Sequence, residues 1–190
     1  GRISSPLSLL YSGQLHRYKG VHTLIDAARR VADAHPKMIG ALTIAGAGDE
    51  EYTAELAEMA KGCPFDVVFP GRLAHNDMPA LYRAHDIFVF PSIWAEPFGL
   101  THLEAMASGT PVISTGHGGQ GECLTNGENA LIFPREDDAA LAGCIERLAT
   151  HDDLARTIAR NARDLVETRL SLDRYVVDLE AYLAELGEGS

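Results

Sequence analysis

Short apolar runs rich in Val, Ile and Leu alternate along the chain with segments whose apolar residues recur at helical spacing. The runs are LSLLYSG (7–13), ALTIAG (41–46), DVVFPG (66–71), DIFVFP (86–91), PVIST (111–115) and ALIFP (130–134). Unbroken apolar runs suit strands covered on both faces, and their alternation with helical segments is the signature of βαβ units in a parallel sheet. In VHTLIDAARRVADAHP, Leu24, Ala27, Ala28 and Val31 share one helical face and Pro36 marks the end. After Pro134 the pattern is helical only, near 137–149, 151–168 and 171–185, with Asp137 and Ser171 in N-cap positions. The pattern predicts one α/β domain over 1–190: a Rossmann-like parallel sheet, helices on both faces, and a helical C-terminal tail. Only 187–190 are expected to be disordered.

Composition narrows the function classes. At 190 residues and 46% hydrophobic, the chain can bury a proper core. The formal net charge of −11 makes the summed field repel nucleic acid and anionic membranes, so any phosphate must be captured by local geometry. Cys63, Cys123 and Cys144 are odd in number and lack zinc-ligand spacing, which fits a reducing cytoplasm and predicts no structural metal. No run approaches the roughly 20 apolar residues of a membrane span. The chain opens on Gly1 and reaches a strand within a few residues, which reads as a processed chain or as part of a longer one.

In open α/β sheets ligands bind beyond the carboxyl ends of the strands, so chemistry is sought in the loops that leave them. The first, SGQLHRYKG, carries Gly13 at a sharp turn, Gln14, and Lys19 just before a helix, where an ammonium can meet an anion. The second, AGAGDE, lacks the third glycine of a dinucleotide fingerprint. Gly46 and Gly48 mark either a turn that leaves room for a ligand or a plain strand-to-helix turn. The fourth, EPFGLTHLE, sets Glu96 and Glu104 around a Pro-Phe-Gly turn. With a helix starting near Phe98 or Gly99, Leu100, Leu103 and Ala107 form an inward stripe, and Thr101, Glu104 and Ser108 a polar one. The N–H groups of Gly99, Leu100 and Thr101 then offer an anion site, and the two acids can accept hydrogen bonds from vicinal hydroxyls. The fifth, STGHGGQGE, is glycine-rich, so its backbone passes close to something. His117 there either faces a ligand or is hydrogen-bonded within its loop.

These segments, SGQLHRYKG, TIAGAGDE, VVFPGRL, DIFVFPSIWAEPFGLTHLEAMASGTPVIST, GGQGE and NGENALIFP, follow one another as in the family 4, or group 1, glycosyltransferases, and Glu96 to Glu104 resembles their E-x7-E element. The resemblance implies the second, nucleotide-sugar-binding half of a two-domain GT-B fold. Its partners are then a nucleotide-diphosphate sugar and an acceptor-binding N-terminal domain outside this chain. Carried over by position, it implies that Lys19 grips the diphosphate, Glu104 holds the ribose and Glu96 the transferred sugar. Backbone at Phe98, Gly99, Leu100 and Thr101 receives the distal phosphate or sugar, and Gly71, Arg72 and Leu73 lie against the base. It further implies retention of configuration and independence from metal or other cofactors. Gln14 departs from the pattern, standing where an arginine usually supports the lysine; Arg17 is the nearest replacement. Two other readings remain open: a noncatalytic sugar-nucleotide-binding module, and a nucleotide-sugar epimerase of the same fold.

Overall fold

The structure is a computed structural model that describes residues 6–188. Its six strands are β1 (Leu7–Ser12), β2 (Ile39–Ala45), β3 (Asp66–Gly71), β4 (Ile87–Phe90), β5 (Val112–Ser114) and β6 (Leu131–Ile132). All pairings are parallel, in the order β3-β2-β1-β4-β5-β6. This is the Rossmann order, in which the direction of winding reverses between β1 and β4 and opens a crevice at their carboxyl ends.

The described residues form seven α-helices, α1 (Val21–Ala34), α2 (Glu50–Lys61), α3 (Met78–Arg83), α4 (Thr101–Ala107), α5 (Asp138–Thr150), α6 (Asp152–Arg169) and α7 (Leu172–Glu188), of which the first six pack around the sheet. Because side chains alternate along a strand, β1 feeds both layers. Leu7, Leu9 and Tyr11 join α1, α2 and α5 through Leu24, Leu56 and Ile145, whereas Leu10 joins Phe88, Phe90, Tyr82, Met106 and Ala162 on the other face. Only β3, at the edge, alternates between exposed and partly covered residues, and an edge accommodates Pro70.

Local signals set the helix starts. Asp137 accepts from the Ala140 N–H at 2.8 Å and opens α5; Asp49 accepts from the Tyr52 N–H at 2.7 Å and opens α2. Ser171 accepts from the Arg174 N–H at 3.3 Å ahead of α7. That last helix leaves Leu172, Tyr175 and Leu183 at 75%, 61% and 57% exposure, so its apolar residues are not absorbed into the sheet's core. It runs on through Gly187 and Glu188, which are therefore helical rather than disordered, and residues 189–190 lie outside the described residues.

Helix α4 corrects the expected stripe. It begins at Thr101, after Gly99 adopts a left-handed φ of +80°, and its inner face is His102, Ala105 and Met106. Leu100 is 68% exposed and Ala107 is exposed as well, while Leu103 is only partly buried. The observed inner face is thus two residues out of phase with the expected one, about 200° around the helix at about 100° per residue.

His102 is fully buried, ringed by Phe90 and Phe98, and its Nδ1 meets no hydrogen-bond partner among the described residues. Burial drives its pKa down from the ordinary 6.5 to about 4. As pH falls below 6.5, the unfolded chain takes up a proton that the folded chain refuses. Stability therefore declines through that window and the loss levels off under pH 4, reaching about 3 kcal/mol. Denaturant titrations should show His102→Leu gaining about that much relative to the wild type between pH 7 and pH 4; parallel curves for the two proteins would contradict the assignment.

Candidate nucleotide-sugar site

The loops after β1 and β4 are stitched together over the crevice. The Tyr18 carbonyl accepts from the N–H groups of Ile93 at 2.9 Å and Trp94 at 3.1 Å. This brings Lys19 and Glu96, 77 residues apart, into contact: Nζ lies 2.5 Å from Oε1, which also accepts from the Ser92 hydroxyl at 2.7 Å. Their side chains are 16% and 7% exposed. A carboxylate so nearly buried needs such partners, since removing one from a desolvated pair leaves an uncompensated charge.

A cleft of about 430 Å³ opens across the carboxyl ends of β1, β2 and β3, lined in part by residues of the same two loops, Gly13 and Gln14 after β1 and Thr101 after β4. From the residues read in the sequence it takes Gly13, Gln14, Gly46, Arg72, Leu73, Thr101 and Glu104, and it adds Ser12, Ala45, Ala47, His75 and Met78. Lys19, Gly48, Gly71, Glu96, Phe98, Gly99 and Leu100 are not part of its lining. Gly71 nonetheless has open space where a side chain would stand, at the turn that leads into Arg72.

Glu104 is aimed by a relay. Tyr82, fully buried, donates to its Oε2 at 2.8 Å, and the Tyr82 hydroxyl lies 3.0 Å from the Ser12 hydroxyl. Burial raises the Tyr82 pKa, so the phenol stays a donor at neutral pH. With Oε2 so engaged, Oε1 is the acceptor left for a ligand hydroxyl. Neither Tyr82 nor Ser12 carries a motif; a buried tyrosine five residues before β4 can only be connected to Glu104 once the fold is known.

The Gly-rich loops serve the chain itself before any ligand. A Cβ on Gly46 would stand 1.8 Å from the Gly13 carbonyl oxygen and one on Gly48 2.4 Å from that of Leu15, so both glycines are required by the first loop's backbone. Likewise Cβ atoms on Gly118 and Gly119 would meet the carbonyl oxygens of Glu96 at 2.3 Å and Pro97 at 1.8 Å. The fifth loop is thus the wall against which the Glu96 segment is formed. His117 is held within it, its carbonyl accepting from Gln120 and its Nε2 3.2 Å from Arg135.

At the start of α4, Leu100 occupies the cap position with no side-chain hydrogen bond to the helix, leaving the first N–H groups available. Gln14 presents an exposed side chain to the cleft while its carbonyl accepts from Tyr11. Arg17 turns away from the cleft: its guanidinium pairs with Glu55 and lies 5.4 Å from the Tyr52 ring centroid. Among the described residues no group of three His, Cys, Asp or Glu side chains is placed to hold a metal ion, and no helix is long and apolar enough to cross a membrane.

Residues 2–165 match the family model described as glycosyl transferases group 1. Glycogen synthase of Mycobacterium tuberculosis is 37% identical over 161 residues, which are 84% of this chain and 38% of that protein. The chain thus spans about two fifths of the length of that curated relative. Among solved structures, Alr3699/HepE of Anabaena in complex with UDP and glucose superposes with a TM-score of 0.83 at 27% identity, covering 99% of this chain and 50% of that one. The C-terminal domain of the group 1 family protein LpcC from Francisella tularensis gives a TM-score of 0.79 at 30% identity, over 90% of this chain and 89% of that one. With its parallel sheet, its E-x7-E pair over the crevice and this extent of similarity, the chain belongs to the group 1 glycosyltransferases.

Proposed function

We propose that the chain is the donor-binding half of a retaining glycosyltransferase, moving a sugar from a nucleotide diphosphate to an acceptor held against a separate N-terminal domain. The observation that carries this reading is a cleft at the carboxyl ends of the strands in which Glu104, aimed by Tyr82, keeps one oxygen free, with the Lys19–Glu96 pair held on the loops that leave β1 and β4. Complexes of the similar HepE with UDP and with UDP-glucose support a nucleotide sugar as the ligand. The match of LpcC's C-terminal domain to nearly the whole chain supports its place in the enzyme. The exposed apolar residues of α7 suit packing against the first domain.

In this reading the base lies near Gly71, Arg72 and Leu73, the ribose hydroxyls donate to Glu104, and the diphosphate reaches toward Lys19. Arrival of the diphosphate divides the existing ion pair: the ammonium moves to the phosphate oxygens and the Glu96 carboxylate is released to the sugar hydroxyls. The ammonium is therefore preorganised where charge develops as the sugar–phosphate bond breaks, together with the open N–H groups at Gly99, Leu100 and Thr101. Positive charge grows on the sugar ring while the diphosphate leaves, and the acceptor attacks the face it vacates. No metal is required for this charge balance. A noncatalytic nucleotide-sugar module is favoured by one observation, Gln14, because a neutral amide supplies neither the charge nor the fork of an arginine and Arg17 faces elsewhere.

Calorimetry with UDP-, GDP- and ADP-glucose should give saturable heat for at least one donor. Glu104→Gln is expected to weaken that binding about tenfold to a hundredfold, since hydrogen bonds to a charged group contribute about 1.5–3 kcal/mol. Absence of heat with every donor would overturn the reading. Gln14→Arg is expected to raise affinity about tenfold; unchanged affinity would show that another cation already fills the role. The 190 residues alone should bind donor without transferring sugar, and full transfer by them in a radiolabel assay would exclude the half-enzyme reading.

A further inference from the structure

Outside the donor cleft three aromatic side chains form a row on the rim. His16 and Tyr18 stack with centroids 5.2 Å apart and planes at 12°, and Tyr18 and Trp94 follow at 6.2 Å and 59°. Tyr18 and Trp94 remain 44% and 54% exposed. They are nevertheless fixed, because the Tyr18 carbonyl ties down the Trp94 backbone and the Ser92 hydroxyl lies 3.3 Å from the Trp94 carbonyl. The middle of the row lies against the ion pair, with Lys19 Nζ 5.4 Å from the Tyr18 centroid, and Trp94 precedes Glu96 by two residues. His16 and Tyr18 also line a second cavity of about 300 Å³ with Tyr52, Arg17, Glu51 and Glu55. The paired backbones of Leu15 and Gly48 stand between the residues of this cavity and those of the donor cleft.

Rigid, exposed aromatic faces beside charged side chains suit a ligand that is apolar on its ring faces and hydroxylated on its edges. The C–H faces of a pyranose carry slight positive charge and meet the negative face of an aromatic ring. Its hydroxyls can donate to carboxylates such as Glu51 and accept from guanidinium, so the charges keep their hydrogen bonds. A protein surface laid on the same residues would have to desolvate Arg17, Lys19, Glu51 and Glu55 without such replacement. The stepped tilt between Tyr18 and Trp94 also departs from the flat face that packs against a helix or sheet.

We propose that the exposed Tyr18 ring, backed on one face by His16, and the neighbouring Trp94 ring form a stacking platform for sugar rings of an oligosaccharide acceptor beside the Lys19–Glu96 pair. The inference rests on the transferase reading for the word acceptor, and on the row itself for saccharide binding. It places the nonreducing or reducing terminus of the glycan beside Trp94, where the transferred sugar would arrive.

Trp94 is the single tryptophan of the chain, so its emission reports the platform directly. The 190-residue chain is titrated with linear gluco- and manno-trisaccharides, α- and β-linked, with and without saturating UDP. Expected is a saturable change in Trp94 emission for at least one trisaccharide, persisting when UDP is present, with affinity reduced about tenfold in Tyr18→Ala. That variant keeps the backbone carbonyl that anchors Trp94, and an unchanged circular dichroism spectrum verifies its fold. No saturable response to any trisaccharide overturns the platform. A response to UDP-glucose alone also overturns it, by assigning Trp94 to the donor, while leaving the proposed function standing. A trisaccharide response without calorimetric heat from any donor supports the platform as a saccharide site and removes the transferase reading instead.

Discussion

The contact between Lys19 and Glu96 is the constraint around which the crevice is organised. Two charges withdrawn from water on loops from opposite sides of the sheet's reversal point can persist only as a pair, and the Ser92 hydroxyl completes the carboxylate's surroundings. Holding them together fixes the path of both loops, and with it the separation of the Glu96 segment from the start of α4.

Around it, close backbone packing takes the place of side-chain contacts. Gly46 and Gly48 lie on the first loop, Gly118 and Gly119 on the Glu96 segment, at separations that no Cβ tolerates. Four loops from β1, β2, β4 and β5 are thereby fused into one rim. A rim of this kind positions ligand-binding groups without help from hinge motion, and it explains why polar residues of the site, Glu104 and Glu96, are oriented by short relays to Tyr82 and Ser92 rather than by solvent.

Placed on this rim, the donor cleft and the aromatic row divide the work of a transfer reaction. In the proposed reading the cleft takes the nucleotide, the ion pair supplies the cation for a leaving diphosphate, and the row takes a glycan.

Much of this was legible in the residue pattern. Six apolar runs bounded by turn residues located six strands to within a few residues, and Asp137 and Ser171 marked helix starts, because strand burial and capping are local effects. The glycines announced close approach, and the E-x7-E spacing brought both acids to the crevice. Sequence alone could not say what the glycines approach, which proved to be neighbouring loops. It placed the α4 stripe on Leu100, Leu103 and Ala107, whereas packing against the sheet turns His102, Ala105 and Met106 inward. It treated Lys19 and Glu96 as separate ligand groups and gave Tyr82 no role, since a pairing across 77 residues, or an aiming hydrogen bond across 22, leaves no periodic trace. Element type and the chemistry available at each loop were thus determined by the order of residues, through local sterics and burial; which charges meet, and which side chains face the cleft, was decided only when the parallel sheet brought its carboxyl-end loops together.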